Sequence, residues 1–265
     1  MKYRSSLLFS LLAFTIIYFH PSQSTSTPAG KIRKRVPAFE YGTVVMNQFS
    51  TSNGMRPVIF RHWTHRSKHT CRLCHIDIGF SMEAGGTGIH ETDNRQGLYC
   101  GVCHNGKEAF DLKRKQNCDR CHSPFPLGKD KMAKKKFLKL ASRLPRGRFG
   151  NKIDWTKAEA KGLIKPKDFI EGVSFPRSKM KHEHGDLKLD AKLAGLQDII
   201  FSHKKHAVWN GCELCHPDIF ALKSGKTKFS MEDNFSGRFC GACHGKVAFP
   251  QRDCGLCHTK PVAGK

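Results

Sequence analysis

Apolar positions are sparse along this chain and fall in short runs rather than long periodic stretches. Thr43-Val-Val-Met-Asn47 and Pro57-Val-Ile-Phe60 are β-prone runs on either side of Ser52-Asn53-Gly54. They predict a small hairpin with a long loop. Leu187-Lys-Leu-Asp190 and Asp198-Ile-Ile-Phe201, flanking Ala194-Gly195, predict a second hairpin of the same kind. Between the two, residues 130–144 have helical composition and a face of Lys131, Lys134, Lys135, Lys136 and Lys139. That face reads either as solvated surface or as a docking site for an anionic partner. Asp154 is placed to cap a short helix over 155–161, stopped by Gly162 and Pro166.

One longer apolar run stands at the N-terminus. Lys2 and Arg4 precede residues 7–19, which are apolar or small apart from Ser10 and Thr15. The run is too short to span a bilayer comfortably, and Ser22-Gln23-Ser24 offers a small-residue cleavage site. Residues 1–24 therefore read as a secretory signal peptide, with an uncleaved anchor as the alternative. Residues 25–37 follow as a basic flexible arm containing Lys31-Ile-Arg-Lys-Arg35. The mature protein is expected in the periplasm or outside the cell, with no membrane span.

Composition changes the picture. Only 38% of residues are hydrophobic, and the formal charge is +24, so apolar side chains alone make a modest core and the surface is strongly basic. A basic field favours acidic partners and speeds encounter with them. The same lysines also serve simply to keep the surface soluble.

The cysteines carry the chemistry. All twelve fall into six copies of one pattern: Cys71-Arg-Leu-Cys74-His75, Cys100-Gly-Val-Cys103-His104, Cys118-Asp-Arg-Cys121-His122, Cys212-Glu-Leu-Cys215-His216, Cys240-Gly-Ala-Cys243-His244 and Cys254-Gly-Leu-Cys257-His258. Cys-x-x-Cys-His is the attachment site of c-type haem. The thiols form thioethers with the haem vinyl groups, and the adjacent histidine binds the iron from the proximal side. Zinc sites and disulfide frameworks give no reason for a histidine after every pair. A thioredoxin-like motif belongs in a βαβ context that is absent here. Six c-type haems are expected, forming much of the core, with the linker after the third motif packed on haem edges. Their propionates leave the chain basic. Export and six haems argue against nucleic acid as its partner.

The pattern is duplicated. Phe60-Arg-His62-Trp-Thr-His65 matches Phe201-Ser-His203-Lys-Lys-His206 at an offset of 141, as Cys71 matches Cys212. The middle motifs match at 140 and the last at 136. Each iron has a sixth position, and a strong protein ligand there closes it to substrate chemistry. Histidines three apart on a helical turn lie on neighbouring faces, so each pair can reach two haems. His62, His65, His203 and His206 are the leading distal ligands. One haem per module needs another. His90 lies 15 residues after His75 and Met231 lies 15 after His216, which assigns them to the middle haems at a matched place. Met82, in a shared Phe-Ser-Met-Glu tetrapeptide, rivals His90. His69, His182 and His184 remain spare. A methionine ligand raises a haem's potential, which would make the Cys240 haem the highest.

With these motifs in this order, each module resembles a triheme c7-type cytochrome of the class III cytochrome c family. The resemblance implies a mostly irregular and α fold with small β-hairpins, as tandem modules at 38–123 and 186–260 around six covalent haems, joined by a linker with short helices at 124–185. It further implies that His62 and His203 serve the first haem of each module, and His65 and His206 the third. One-module members usually place a histidine four residues before the middle cysteine, which neither module here does. The implied activity is electron carriage along closely spaced, mostly bis-His haems, in anaerobic or extracellular respiration, with other redox proteins bearing acidic surfaces as partners. A multihaem reductase with an open haem, and a filament or oligomer joined through exposed haem edges, are the alternatives. No catalytic residue is expected.

Overall fold

Each half of the chain opens with a hairpin whose second strand turns directly into a histidine-bearing helix. The computed structural model describes residues 36–177, 185–191 and 196–260. The signal segment, nearly all of the basic arm, His182, His184 and the Ala194-Gly195 turn lie outside the described residues. In the first half, β1 (Thr43–Met46) pairs antiparallel with β2 (Val58–Arg61), Thr43 opposite Arg61 and Met46 opposite Val58. Strand β2 ends where α1 (His62–Arg66) begins. A short π-helical turn, Leu73–Asp77, carries the first motif. Helix α2 (Glu91–Arg95) and the 3-10 turn Tyr99–Val102 lead into the second.

The second half repeats this plan. Strands β3 (Leu187–Leu189) and β4 (Asp198–Phe201) pair antiparallel, then α5 (His203–Asn210) follows. Helix α6 (Met231–Phe235) and the turn Phe239–Ala242 precede the fifth motif. A third strand, β5 (His258–Lys260), adds to the free edge of β4, so His258 itself becomes a strand residue. Both expected hairpins are present.

The linker is more than connecting chain. Helix α3 (Lys131–Ala141) is capped by Asp130, which accepts from the Ala133 amide at 2.8 Å. Helix α4 (Trp155–Ala160) is capped by Asp154, which accepts from the Lys157 amide at 3.0 Å. All five lysines of the α3 face are exposed. Its opposite face joins the one hydrophobic cluster of the described residues: Ala133, Phe137, Leu144, Ile153, Trp155, Ala158 and Ile164, with Phe39 and Trp63 from the first half and Trp209 from the second. This stretch therefore contributes an apolar core of its own, in addition to any packing on haem edges. Seven of the ten cluster residues come from it, and truncating one of its large aromatics should cost about 3–5 kcal/mol. The motif-bearing segments, by contrast, bury few large apolar side chains, chiefly Leu73 and Leu214.

Ion pairs fasten the linker to both halves. Arg61 bridges Glu40 at 3.0 Å and Asp130 at 3.3 Å, with Glu40 also accepting the Gly128 amide. Asp168 pairs with Arg72 and accepts the Thr70 hydroxyl at 2.6 Å. Arg177 pairs with Asp77 and, at 3.3 Å, with Glu213. Residues Val36–Lys265 consequently pack as one compact unit.

Candidate haem sites

All twelve cysteines are free of disulfides. Burial pushes the thiols up, Cys74 and Cys243 to about 12 and Cys100 and Cys240 to about 11. At neutral pH they are uncharged and unlike an activated thiolate nucleophile. Within the motifs the chain makes one helical turn: the amides of His104, His122, His216 and His244 reach back to Cys100, Cys118, Cys212 and Cys240 at 2.9–3.0 Å. This turn keeps each second thiol beside its histidine.

Every motif histidine uses one ring nitrogen in the same way. His75 Nδ1 lies 2.9 Å from Phe80 O, His104 Nδ1 3.3 Å from Phe110 O and His122 Nδ1 2.5 Å from Arg56 O. In the second half His216, His244 and His258 meet the Phe220, Phe249 and Gln197 carbonyls at 2.6, 3.2 and 2.6 Å. A carbonyl only accepts, so Nδ1 carries the hydrogen and Nε2 keeps its lone pair for a metal. The paired histidines follow suit. His62 meets Gly42 O at 2.6 Å and His206 meets Ser202 O at 2.8 Å. His203 meets Gly185 O at 3.3 Å.

Phe60 and Phe201 orient these pairs. Phe60 stands edge-on to His62 at 4.9 Å and stacks on His65 at 4.5 Å. Phe201 does the same to His203 and His206 at 5.0 and 4.4 Å. The sequence displays both phenylalanines in the repeated pattern but not their task of turning two imidazoles to different faces.

The result, among the described residues, is a set of facing imidazole pairs. His62 and His75 have ring centroids 6.5 Å apart and planes within 9°. His65 faces His104 at 6.3 Å, and His206 faces His244 at 6.1 Å. Two imidazoles held on opposite sides of one metal by bonds of about 2.0 Å put their centroids roughly 6.3 Å apart. The donor set therefore fits a bis-imidazole haem iron. Burial holds His62, His65 and His244 down to about 4, so they are neutral and free to donate their lone pairs at physiological pH.

This geometry departs from two sequence expectations. His65 and His206 face the second motif of their module, not the third as the resemblance implies, because the i, i+3 spacing and the phenylalanine wedge aim them there. His90 and Met231, moreover, are not matched positions. His90 N donates to Asp93 Oδ2 at 2.8 Å just as Ser230 N donates to Asp233 Oδ2 at 2.7 Å, so His90 corresponds to Ser230 and Met231 to Glu91. The second half is one residue shorter between His216 and Phe220 than the first between His75 and Phe80, which shifts the count. His206, facing His244, offers the Cys240 site an imidazole in the place where the sequence suggested Met231. Met82 aligns with Leu222 and sits in a separate loop. His69 lies beside Lys167 with its Nδ1 sealed and unpartnered.

Facing imidazole pairs beside duplicated Cys-x-x-Cys-His turns fit a multihaem c-type cytochrome with sites for six c-type haems. Residues 58–123 and 199–259 each match the model of the family "Cytochrome c7 and related cytochrome c". The chain belongs to that family through two tandem modules. Among solved structures, it is 42% identical to a c7-type three-heme cytochrome domain, covering 28% of this chain and 93% of that one, at a TM-score of 0.27. It is 24% identical to the C-terminal hexaheme fragment of GSU1996, over 82% of this chain and 96% of that one, TM-score 0.26. The dodecaheme cytochrome c GSU1996 is 26% identical over 82% of this chain and 74% of its own, TM-score 0.26. Among curated proteins none matches.

Proposed function

We propose that this protein is an exported electron carrier, passing single electrons along six closely spaced haems between other redox proteins outside the cytoplasm. Bound haem supplies the reversible ferric–ferrous change; the chain's task is to hold the irons in series and closed. Domain limits at 38–123, 124–185 and 186–260 belong to this reading. So does export through the N-terminal segment; no helix of the described residues is long and apolar enough to cross a membrane.

One observation carries the reading: the attachment sulfurs form an unbroken series. Cys121 is a near neighbour of Cys100, and Cys103 and Cys100 are near neighbours of Cys74. Cys71 in turn neighbours Cys243 and Cys215, and Cys240 neighbours Cys257. The two ends of the series, Cys118 and Cys254, are exposed, which suits exchange with partners. The basic surface suits acidic ones.

The axial assignments follow. His62 and His203 close the first haem of their modules, and His65 and His206 close the second. His90 and Met231 are then left for the third. His90 packs on Phe49 at 3.9 Å, in the same β1–β2 loop whose Arg56 carbonyl anchors His122. Potentiometric titration of the purified protein tests the function. Reversible uptake of six electrons by low-spin haems is expected, and irreversible reduction, or turnover of an oxyanion, overturns it.

A further inference from the structure

The two modules meet at an unusual cation. Arg66, the last residue of α1, lies between two indoles, its guanidinium carbon 5.1 Å from the Trp155 ring centre and 5.2 Å from that of Trp209. Its Nη1 donates to Val247 O at 3.1 Å. Its Nε is sealed from solvent without a partner, although the side chain as a whole is half-buried. No carboxylate forms an ion pair with Arg66 among the described residues. Indole faces stabilise a desolvated guanidinium, and arginine keeps its charge under such conditions.

The seam around it joins one attachment site of each module. Tyr41 donates its hydroxyl to Ala248 O at 2.6 Å, beside the carbonyl that Arg66 holds. Those carbonyls belong to the turn whose Val247 and Ala248 amides bond Cys243 O at 2.9 and 3.0 Å, and whose Phe249 carbonyl anchors His244. Next to Tyr41, Gly42 anchors His62, the partner of His75. Cys71 packs against the cluster that contains both indoles. Arg66 thus stands next to the first site of module one and the second site of module two, within electrostatic reach of Cys71 and Cys243. Thioethers form at the vinyl edge of a haem, opposite its propionates, so haems bound here would hold their carboxylates away from the cation.

We propose that Arg66 is a shared electrostatic determinant of these two sites, a fixed cation at the module seam that favours the ferrous form at both. The idea rests on the electron-carrier reading above. A ferrous haem carries one positive charge fewer than a ferric one, so a nearby buried cation penalises the oxidised form. Placed between two sites, it raises both midpoints together and makes the seam a favoured resting place for an electron between modules. Arg66 acts through charge and position and touches no iron.

The test is a redox titration of the haem-loaded full chain, followed through assigned haem methyl signals in NMR. Arg66→Gln should lower the midpoints of the Cys71/Cys74 and Cys240/Cys243 haems, cutting the ferrous-to-ferric ratio at fixed potential about tenfold, or about 59 mV for a one-electron couple. Arg66→Lys should restore most of the shift, and the other four haems should move little. As a second, milder variant, Glu159→Gln removes a carboxylate that interacts with Arg66 and with the Trp209 side chain. At pH 8 it should move the same two midpoints upward. Unchanged midpoints at these two haems in either variant, with reversible reduction of all six, would overturn the proposal and leave electron carriage standing. A wild-type protein that does not titrate reversibly would instead overturn electron carriage itself.

Discussion

His65 separates two descriptions of the same module. If it closes the second haem, His65→Ala should convert the Cys100/Cys103 haem from low spin to high spin and leave the Cys118/Cys121 haem unaltered. The haem-resolved NMR spectrum reads this directly, and a change confined to the third haem would refute the facing-ring assignment. Titration offers a second test at this scale. The folded state holds His62, His65 and His244 near 4, while in the unfolded chain they titrate near 6.5. Between these values the unfolded state binds more protons, so stability should be fully present above about pH 6.5 and fall as pH drops towards 4. Iron coordination adds to the same trend. Chemical denaturation at pH 7.5 and 5 measures it, and equal stability at both would contradict it. The histidines themselves were legible in the sequence because their i, i+3 spacing is short-range. Which haem each faces was not, since that depends on Phe60 and Phe201 and on carbonyls such as Gly42 and Ser202.

The elements show why glycines at the same motif position differ. Gly101 and Gly241 follow the first cysteine of their motifs, and a Cβ on either would sit 1.9 Å from the carbonyl oxygen of Asn94 or Asn234. Just before them Tyr99 and Phe239 adopt left-handed φ angles of 45° and 47°, a conformation tolerated when packing enforces it. Gly255, in the same motif position, has open space around it. Gly241→Ala should therefore cost at least about 1–3 kcal/mol by overpacking and lower haem incorporation at the fifth site. Gly255→Ala should do neither, with mass spectrometry counting haems and denaturation giving stability. Equal tolerance of both would mean that the α6-to-turn contact is unimportant. The hairpins and the cap at Asp154 were readable because strand pattern and cap chemistry are local. The register of His90 and Met231 was misread because a one-residue shortening after His216 is invisible until the caps at His90 and Ser230 are compared.

For the whole molecule, the sequence displayed a duplication and the structure adds what joins the copies. The linker's apolar residues are few and aperiodic, and their partners Phe39, Trp63 and Trp209 are distant in sequence. No pattern announced that they meet. Their cluster makes the two modules one unit and brings the Cys71 and Cys243 sites to a common seam. The account's central claim is that this unit conducts electrons through irons closed by protein ligands. Carbon monoxide added to the fully reduced, haem-loaded protein at native pH tests it most directly. The account predicts no rapid stoichiometric binding at any of the six haems, and prompt binding at one or more would reveal an open iron and contradict it.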